Sequence, residues 1–141
     1  MSAASGVAIA VSFVWLGMVL AISFLEAPLK FRAPGVTVRI GLGVGRLVFR
    51  ALNAVEAVLA LVLLVAITID PPPARPAIAV AFAVATLAVQ LAVVRPRLTR
   101  RSNRILAGQD TPRSRGHHAY VALEAAKVVA LCAGGILLMA A

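Results

Sequence analysis

Four long apolar segments constrain this chain more than any other feature. Residues 1–25 contain no charged side chain, and the segments near 51–69, 77–94 and 119–141 are almost as apolar. A helix that spans a bilayer needs about 20 mostly apolar residues. Hydrophobic residues make up 62% of the chain, whereas soluble domains contain about 45–50%. The sequence therefore predicts an all-α, polytopic membrane protein with four transmembrane helices.

Prolines, glycines and charged residues between these segments predict the helix boundaries. We expect helices at about 7–25, 46–69, 76–94 and 117–141, within a single domain that occupies residues 1–141. Pro28 and Pro34 are expected to break the chain after the first helix, and Arg95-Pro96 to end the third, because proline cannot continue a helix. The same reasoning predicts a short, rigid turn from Asp70 to Pro73. The first segment lacks a basic region before it, so we interpret it as a retained helix and not a cleaved signal peptide.

Basic residues are concentrated in two of the connecting segments. Five lie in or beside the loop predicted at 28–45 and seven in the loop predicted at 95–116, out of fourteen in the chain: Lys30, Arg32, Arg39, Arg46, Arg50, Arg95, Arg97, Arg100, Arg101, Arg104, Arg113 and Arg115. Cytoplasmic loops carry such an excess of Lys and Arg. We therefore expect both basic loops in the cytoplasm of a bacterial cell, against anionic lipid headgroups, and both termini outside the inner membrane. The second loop lacks the aromatic residues that stack on bases, so we expect no nucleic-acid partner.

A weak internal repeat relates the two halves of the chain. Ala54-Val55-Glu56-Ala57 resembles Ala122-Leu123-Glu124-Ala125, and Pro28 and Pro96 are displaced by the same 68 residues. Two similar helix hairpins would be related by an axis along the membrane normal. Chance similarity in a sequence rich in Ala, Val and Leu is the alternative.

Polar side chains at helical spacing predict a layer on the cytoplasmic side of the membrane. Ionisable residues inside a membrane usually face protein or water, because insertion costs at least about 2.5 kcal/mol each at the helix centre. The candidates for a polar pocket or a proton-linked path are Glu26, Arg46, Arg50, Asn53, Glu56, Gln90, His117, Tyr120, Glu124 and Lys127.

Two interpretations of this layer remain open. In the first, the layer is a structural ion-pair network, in which Lys127 pairs with Glu124 and with Glu56, and Glu26 pairs with Arg46 or Arg50. In the second, it is a working pocket that carries protons. A metal site is disfavoured, because the only histidines are the neighbours His117 and His118, and adjacent helical positions point about 100° apart. We expect no metal, no other cofactor and no catalytic residues.

The segments around the first connection resemble a known group of proteins. Phe24-Leu25-Glu26-Ala27-Pro28-Leu29-Lys30-Phe31 and Gly45-Arg46-Leu47-Val48-Phe49-Arg50 resemble small four-helix bacterial membrane proteins of unassigned function, some of which are described as copper or small-solute transporters. The resemblance implies a four-helix architecture. It does not extend to copper, because this chain lacks the Cys, Met and His content that copper handling needs.

These observations together favour a non-enzymatic membrane protein. The leading hypothesis is a small transporter or channel-like component, which would need a homo-oligomer to enclose a wide pathway. An accessory or assembly subunit of a larger membrane complex is the alternative, and a membrane enzyme acting on lipid is a third possibility.

Overall fold

Four long helices form the described part of the chain. The structure is a computed structural model, and it describes residues 1–108 and 115–141, with the backbone alone at 115–117. We label the continuous helices α1, Ala3–Lys30; α2, Val38–Ile69; α3, Ala74–Leu106; and α4, Arg115–Ala140. Each contains a stretch that is long and apolar enough to cross a membrane. The all-helical fold with four such helices is therefore confirmed, and it indicates a multi-pass membrane protein.

Local signals in the sequence determine where the helices begin. Ser2 caps α1 by accepting a hydrogen bond from the Ser5 backbone N–H (3.0 Å), and Thr37 caps α2 through the Ile40 N–H (3.2 Å). Such caps pair backbone donors that have no partner inside the helix. The predicted turn between α2 and α3 is confirmed, and the Ser2 hydroxyl at the start of α1 donates a hydrogen bond to the Asp70 carboxylate at the end of α2.

The helices pack so that α1 contacts both α2 and α4, while α3 lies along α4. The core between them is apolar, and its largest fully buried apolar side chains are Trp15, Val19, Leu63, Val80 and Leu131. Many large apolar side chains face outward instead, which suits a surface in contact with lipid. The end of the bundle that carries the α1–α2 connection and the Arg-rich part of α3 is called the basic end below.

Two π-helical segments interrupt the α-helical geometry. They are Leu20–Glu26 in α1 and Gln90–Val94 in α3, and each stands just before a proline, Pro28 or Pro96. A proline within a helix lacks a donor and clashes with the carbonyl four residues earlier. Wider π-helical bonding, such as Ala27 N–H to Ile22 O, relieves this conflict locally. The prediction that Pro28 and Pro96 end their helices is therefore wrong, since both helices continue beyond them.

The two basic segments are also more helical than predicted. Residues 95–106 continue α3, where we expected a loop over 95–116, and α2 begins at Val38 instead of near residue 46. The Thr37 cap, eight residues before Gly45, explains the early start of α2. Gly35, with a φ of 80°, supplies the left-handed turn before that cap. Residues 109–114 of the predicted second loop lie outside the described residues.

Candidate functional site

All four helices contribute to one group of buried polar side chains. We call it the buried ion cluster, and its members are Trp15 and Ser23 from α1, Glu56 from α2, Gln90 from α3, and Glu124 and Lys127 from α4. Four of them have no solvent exposure at all, namely Trp15, Glu56, Gln90 and Lys127; Glu124 is 1% exposed, and Ser23 is half-buried. The charged groups at the centre of the cluster are therefore shielded from water.

Lys127 lies at the centre of the cluster. Its Nζ is 2.5 Å from Glu56 Oε2, 2.6 Å from Glu124 Oε1 and 2.7 Å from Gln90 Oε1. An ammonium group has three N–H donors. The contacts with Glu56 and Gln90 are hydrogen bonds and the contact with Glu124 is an ion pair, and the three partners come from three different helices.

Glu124 is held by side chains from the two π-helical segments. Its Oε1 accepts a hydrogen bond from Gln90 Nε2 at 2.7 Å, and its Oε2 accepts one from the Ser23 hydroxyl at 2.5 Å. Ser23 lies inside the first π segment, and Gln90 is the first residue of the second. Because π-helical turns often occur at functional sites, their convergence on one carboxylate marks Glu124 as part of a candidate site.

Glu56 is bonded less completely than Glu124. Its Oε2 accepts from both Lys127 and the indole Nε1 of Trp15, the latter at 2.8 Å. Its Oε1 is buried and has no hydrogen-bond partner among the described residues. The cluster also contains two carboxylates but one ammonium, so it carries one excess formal negative charge when both carboxyl groups are ionised.

A second polar contact lies between the cluster and the basic end. The Tyr120 hydroxyl is 3.4 Å from Asn53 Oδ1, at the long limit of a hydrogen bond, and both side chains are buried. The Tyr120 ring meets the Phe49 ring edge-to-face, with centroids 5.8 Å apart. Arg95 lies beside both rings and acts electrostatically on Glu124, but the described residues show no salt bridge between them.

The structure brings together part of the predicted polar layer. The predicted pairs Glu56–Lys127 and Glu124–Lys127 are confirmed. The predicted pair of Glu26 with Arg46 or Arg50 is wrong, because Glu26 lies 3.8 Å from Lys30, one turn along its own helix.

The remaining candidates contribute less. The side chain of His117 lies outside the described residues, and His118 is exposed. Within the described part of the chain, no three His, Cys, Asp or Glu side chains are grouped to hold a metal ion. Trp15 and Ser23 could not be chosen from the sequence, because both lie in an apolar segment that a membrane-spanning helix already explains. Their polar partners are identified only by the packing of the helices.

Comparisons with protein families, curated proteins and solved structures found no match. The candidate site is therefore interpreted from its own geometry.

Proposed function

We propose that this protein is a small transporter or channel-like component of a bacterial cytoplasmic membrane, and that its buried ion cluster exchanges one proton at Glu56. The observation that carries this proposal is the unpartnered Oε1 of a fully buried carboxyl group in a cluster with one excess negative charge. Uncompensated charge is costly in a membrane interior. A proton on Glu56 removes that charge.

A purely structural role accounts for less of this arrangement. One buried Glu–Lys pair would be enough to fix helix register, and even such a pair is often no more stable than apolar residues of similar volume. The second carboxylate adds a desolvation cost and no further cation. Proton exchange would account for the presence of the second buried carboxyl group.

The proposal places the cluster on the cytoplasmic side of the membrane. The basic end then faces the cytoplasm and anionic headgroups, and both termini lie outside, in keeping with the distribution of Lys and Arg. The two halves would be similar hairpins, since each contains a helix with a π segment before a proline, followed by a helix with a buried Glu. A homo-oligomer would provide the wider pathway that four helices do not enclose.

Reconstitution of the purified chain into liposomes tests the proposal. Proton flux under an imposed pH gradient is measured with a pH-sensitive dye trapped inside. We expect flux with the wild type, loss of flux with Glu56→Gln, and wild-type flux with the matched control Asp70→Asn, a carboxyl group at the opposite end of α2 from the basic end. Each variant is first shown to be folded by its thermal unfolding midpoint.

Two outcomes would overturn the proposal. Full flux with Glu56→Gln would show that this carboxyl group carries no proton in transport. Absence of flux from the folded wild type, together with co-purification of a stoichiometric membrane partner, would favour the accessory-subunit alternative instead.

A further inference from the structure

Cationic and aromatic side chains from all four helices meet at the basic end. Lys30 Nζ lies 5.6 Å from the centroid of the Phe49 ring, and Arg95 Cζ lies 5.2 Å from the same centroid and 5.8 Å from that of Tyr120. These four residues, one from each of α1 to α4, are called the cation–aromatic site. Cations bind the faces of aromatic rings electrostatically, so the rings hold both cations in place and leave their N–H groups free.

The N–H donors of this site are unused within the described part of the chain. Arg95 is half-buried and forms no hydrogen bond or salt bridge there. Lys30 has only the 3.8 Å contact with Glu26, which is too long for a hydrogen bond. The charges of Arg46 and Arg50 also act on Arg95. Cations thus outnumber carboxylates here, even when Glu26 and the more distant Glu124 are counted.

Glycines in α2 make room for this arrangement. A Cβ atom at Gly45 would lie 2.9 Å from Lys30 Nζ, and one at Gly41 would lie 2.1 Å from the Phe31 ring. A Cβ at Gly43, by contrast, would meet nothing within 4 Å. Two of the three closely spaced glycines therefore allow the end of α1 to lie directly against α2, with Lys30 beside Phe49.

We propose that the cation–aromatic site binds a phosphate-class oxyanion, carried either by a lipid headgroup or by a free phosphate. A guanidinium presents a planar set of donors that matches two phosphate oxygens at once, and an ammonium adds a point charge. Contact with the rings restricts the guanidinium before a ligand arrives, which lowers the entropy lost on binding. The site is separate from the buried ion cluster, and the proposal does not depend on proton transport.

Binding should stabilise the bundle, because Lys30 belongs to α1 and Arg95 to α3, and an anion beside the Phe49 ring would attract both. The test uses the purified full chain in a maltoside detergent, which contains no phosphate. The thermal unfolding midpoint is measured while inorganic phosphate is added, and in a second arm while short-chain phosphatidylglycerol is added. Sodium chloride at matched ionic strength corrects for screening.

We expect saturable stabilisation in at least one arm, with the arm that responds identifying the source of the anion. Arg95→Gln and Lys30→Gln should each weaken apparent affinity by about tenfold or more, since each removes charge-assisted hydrogen bonds. Arg95→Lys keeps the charge but loses the planar donors, so it should bind with intermediate affinity. The matched control Arg97→Gln, an exposed arginine on the same helix, should bind like the wild type.

A different result would overturn the proposal. Absence of saturable stabilisation in both arms would exclude the site. Equal weakening by Arg97→Gln and Arg95→Gln would indicate diffuse attraction to the whole basic surface. If Arg95→Gln fails to fold, the anion affinities of Gly45→Ala and Gly43→Ala are compared instead. Only Gly45→Ala displaces Lys30, so it should bind the anion more weakly. Equal affinity of these two variants would also contradict the proposal.

Discussion

Lys127 connects three helices through a single nitrogen atom. Its ammonium bonds to Glu56 of α2, Gln90 of α3 and Glu124 of its own α4, and no water reaches any of the bonds. Removing one partner of a buried ion pair leaves an uncompensated charge, which typically costs about 3–5 kcal/mol.

Lys127→Met alone should therefore lower the free energy of unfolding by about 3–5 kcal/mol. The triple variant Lys127→Met/Glu56→Gln/Glu124→Gln should recover much of that loss, because no charge is then stranded. Equilibrium unfolding of the detergent-solubilised protein measures both. A single variant as stable as the wild type would show that the ammonium is not buried as described.

The two glutamates should respond differently to neutralisation. In Glu56→Gln, the new N–H₂ group can take the position of Oε1, which accepts no hydrogen bond, while the amide oxygen keeps the bonds from Lys127 and Trp15. In Glu124→Gln, either orientation of the amide points N–H₂ at a present donor, so Lys127 and Gln90, or else Ser23, must rearrange. We expect Glu124→Gln to be the less stable variant by about 1–3 kcal/mol. Thermal unfolding of the two variants side by side checks this order, and the reverse order would contradict it.

The sequence identified the charged residues of the cluster and Gln90, but not the partners on α1. Glu56, Glu124 and Lys127 were predictable because a charge inside an apolar helix needs a partner. Trp15 and Ser23 were not, since each is compatible with a lipid-facing position until α1 is packed. The partner of Glu26 was wrong because the nearest cation on its own helix, Lys30, is closer than any on α2.

Each π segment contains one side chain that bonds to Glu124, Ser23 in the first and Gln90 in the second. One π turn contains one residue more than an α turn over the same rise. Deletion of Ala92, an exposed residue within Gln90–Val94, should restore an α-helix and keep the flanking parts of α3 in register.

Deletion of Ala92 is therefore expected to give a folded protein, because the Arg95 N–H and the Gln90 carbonyl can then form an ordinary α-helical hydrogen bond. Deletion of Ala85, an exposed residue in the α-helical part of α3, should instead rotate one end of the helix by about 100° and disrupt packing. Size-exclusion chromatography and unfolding midpoints compare the two. Equal tolerance of both deletions would show that the π segment has no special role.

The number and order of the helices were predictable, but their ends were not. The length of each apolar segment indicates a helix that can span a membrane, and the prolines indicate the turn from Asp70 to Pro73. Pro28 and Pro96 do not end their helices, because the π segment before each proline relieves its conflict with the preceding turn. The contact of α1 with α4 could not be predicted, since it depends on side-chain packing between segments distant in sequence.

The proposed orientation of the four helices in the membrane can be tested directly. Single cysteines are placed at Pro73→Cys and Ala107→Cys in a Cys132→Ala background, since Cys132 is the chain's one cysteine. A membrane-impermeant thiol reagent added to intact cells should label position 73 and not position 107. The opposite labelling pattern would contradict the proposed topology.

The hydrogen bond between Trp15 and Glu56 can form before the later helices are synthesised. Lys127 follows Glu56 by 71 residues, so α2 is synthesised well before the ammonium that neutralises it. Trp15, on the preceding helix, is already present at that time and can donate its indole N–H to the carboxyl group. Trp15→Phe should therefore reduce the yield of inserted protein more than it reduces the stability of the finished bundle. In this sense the indole would act as a temporary partner for Glu56 during biogenesis.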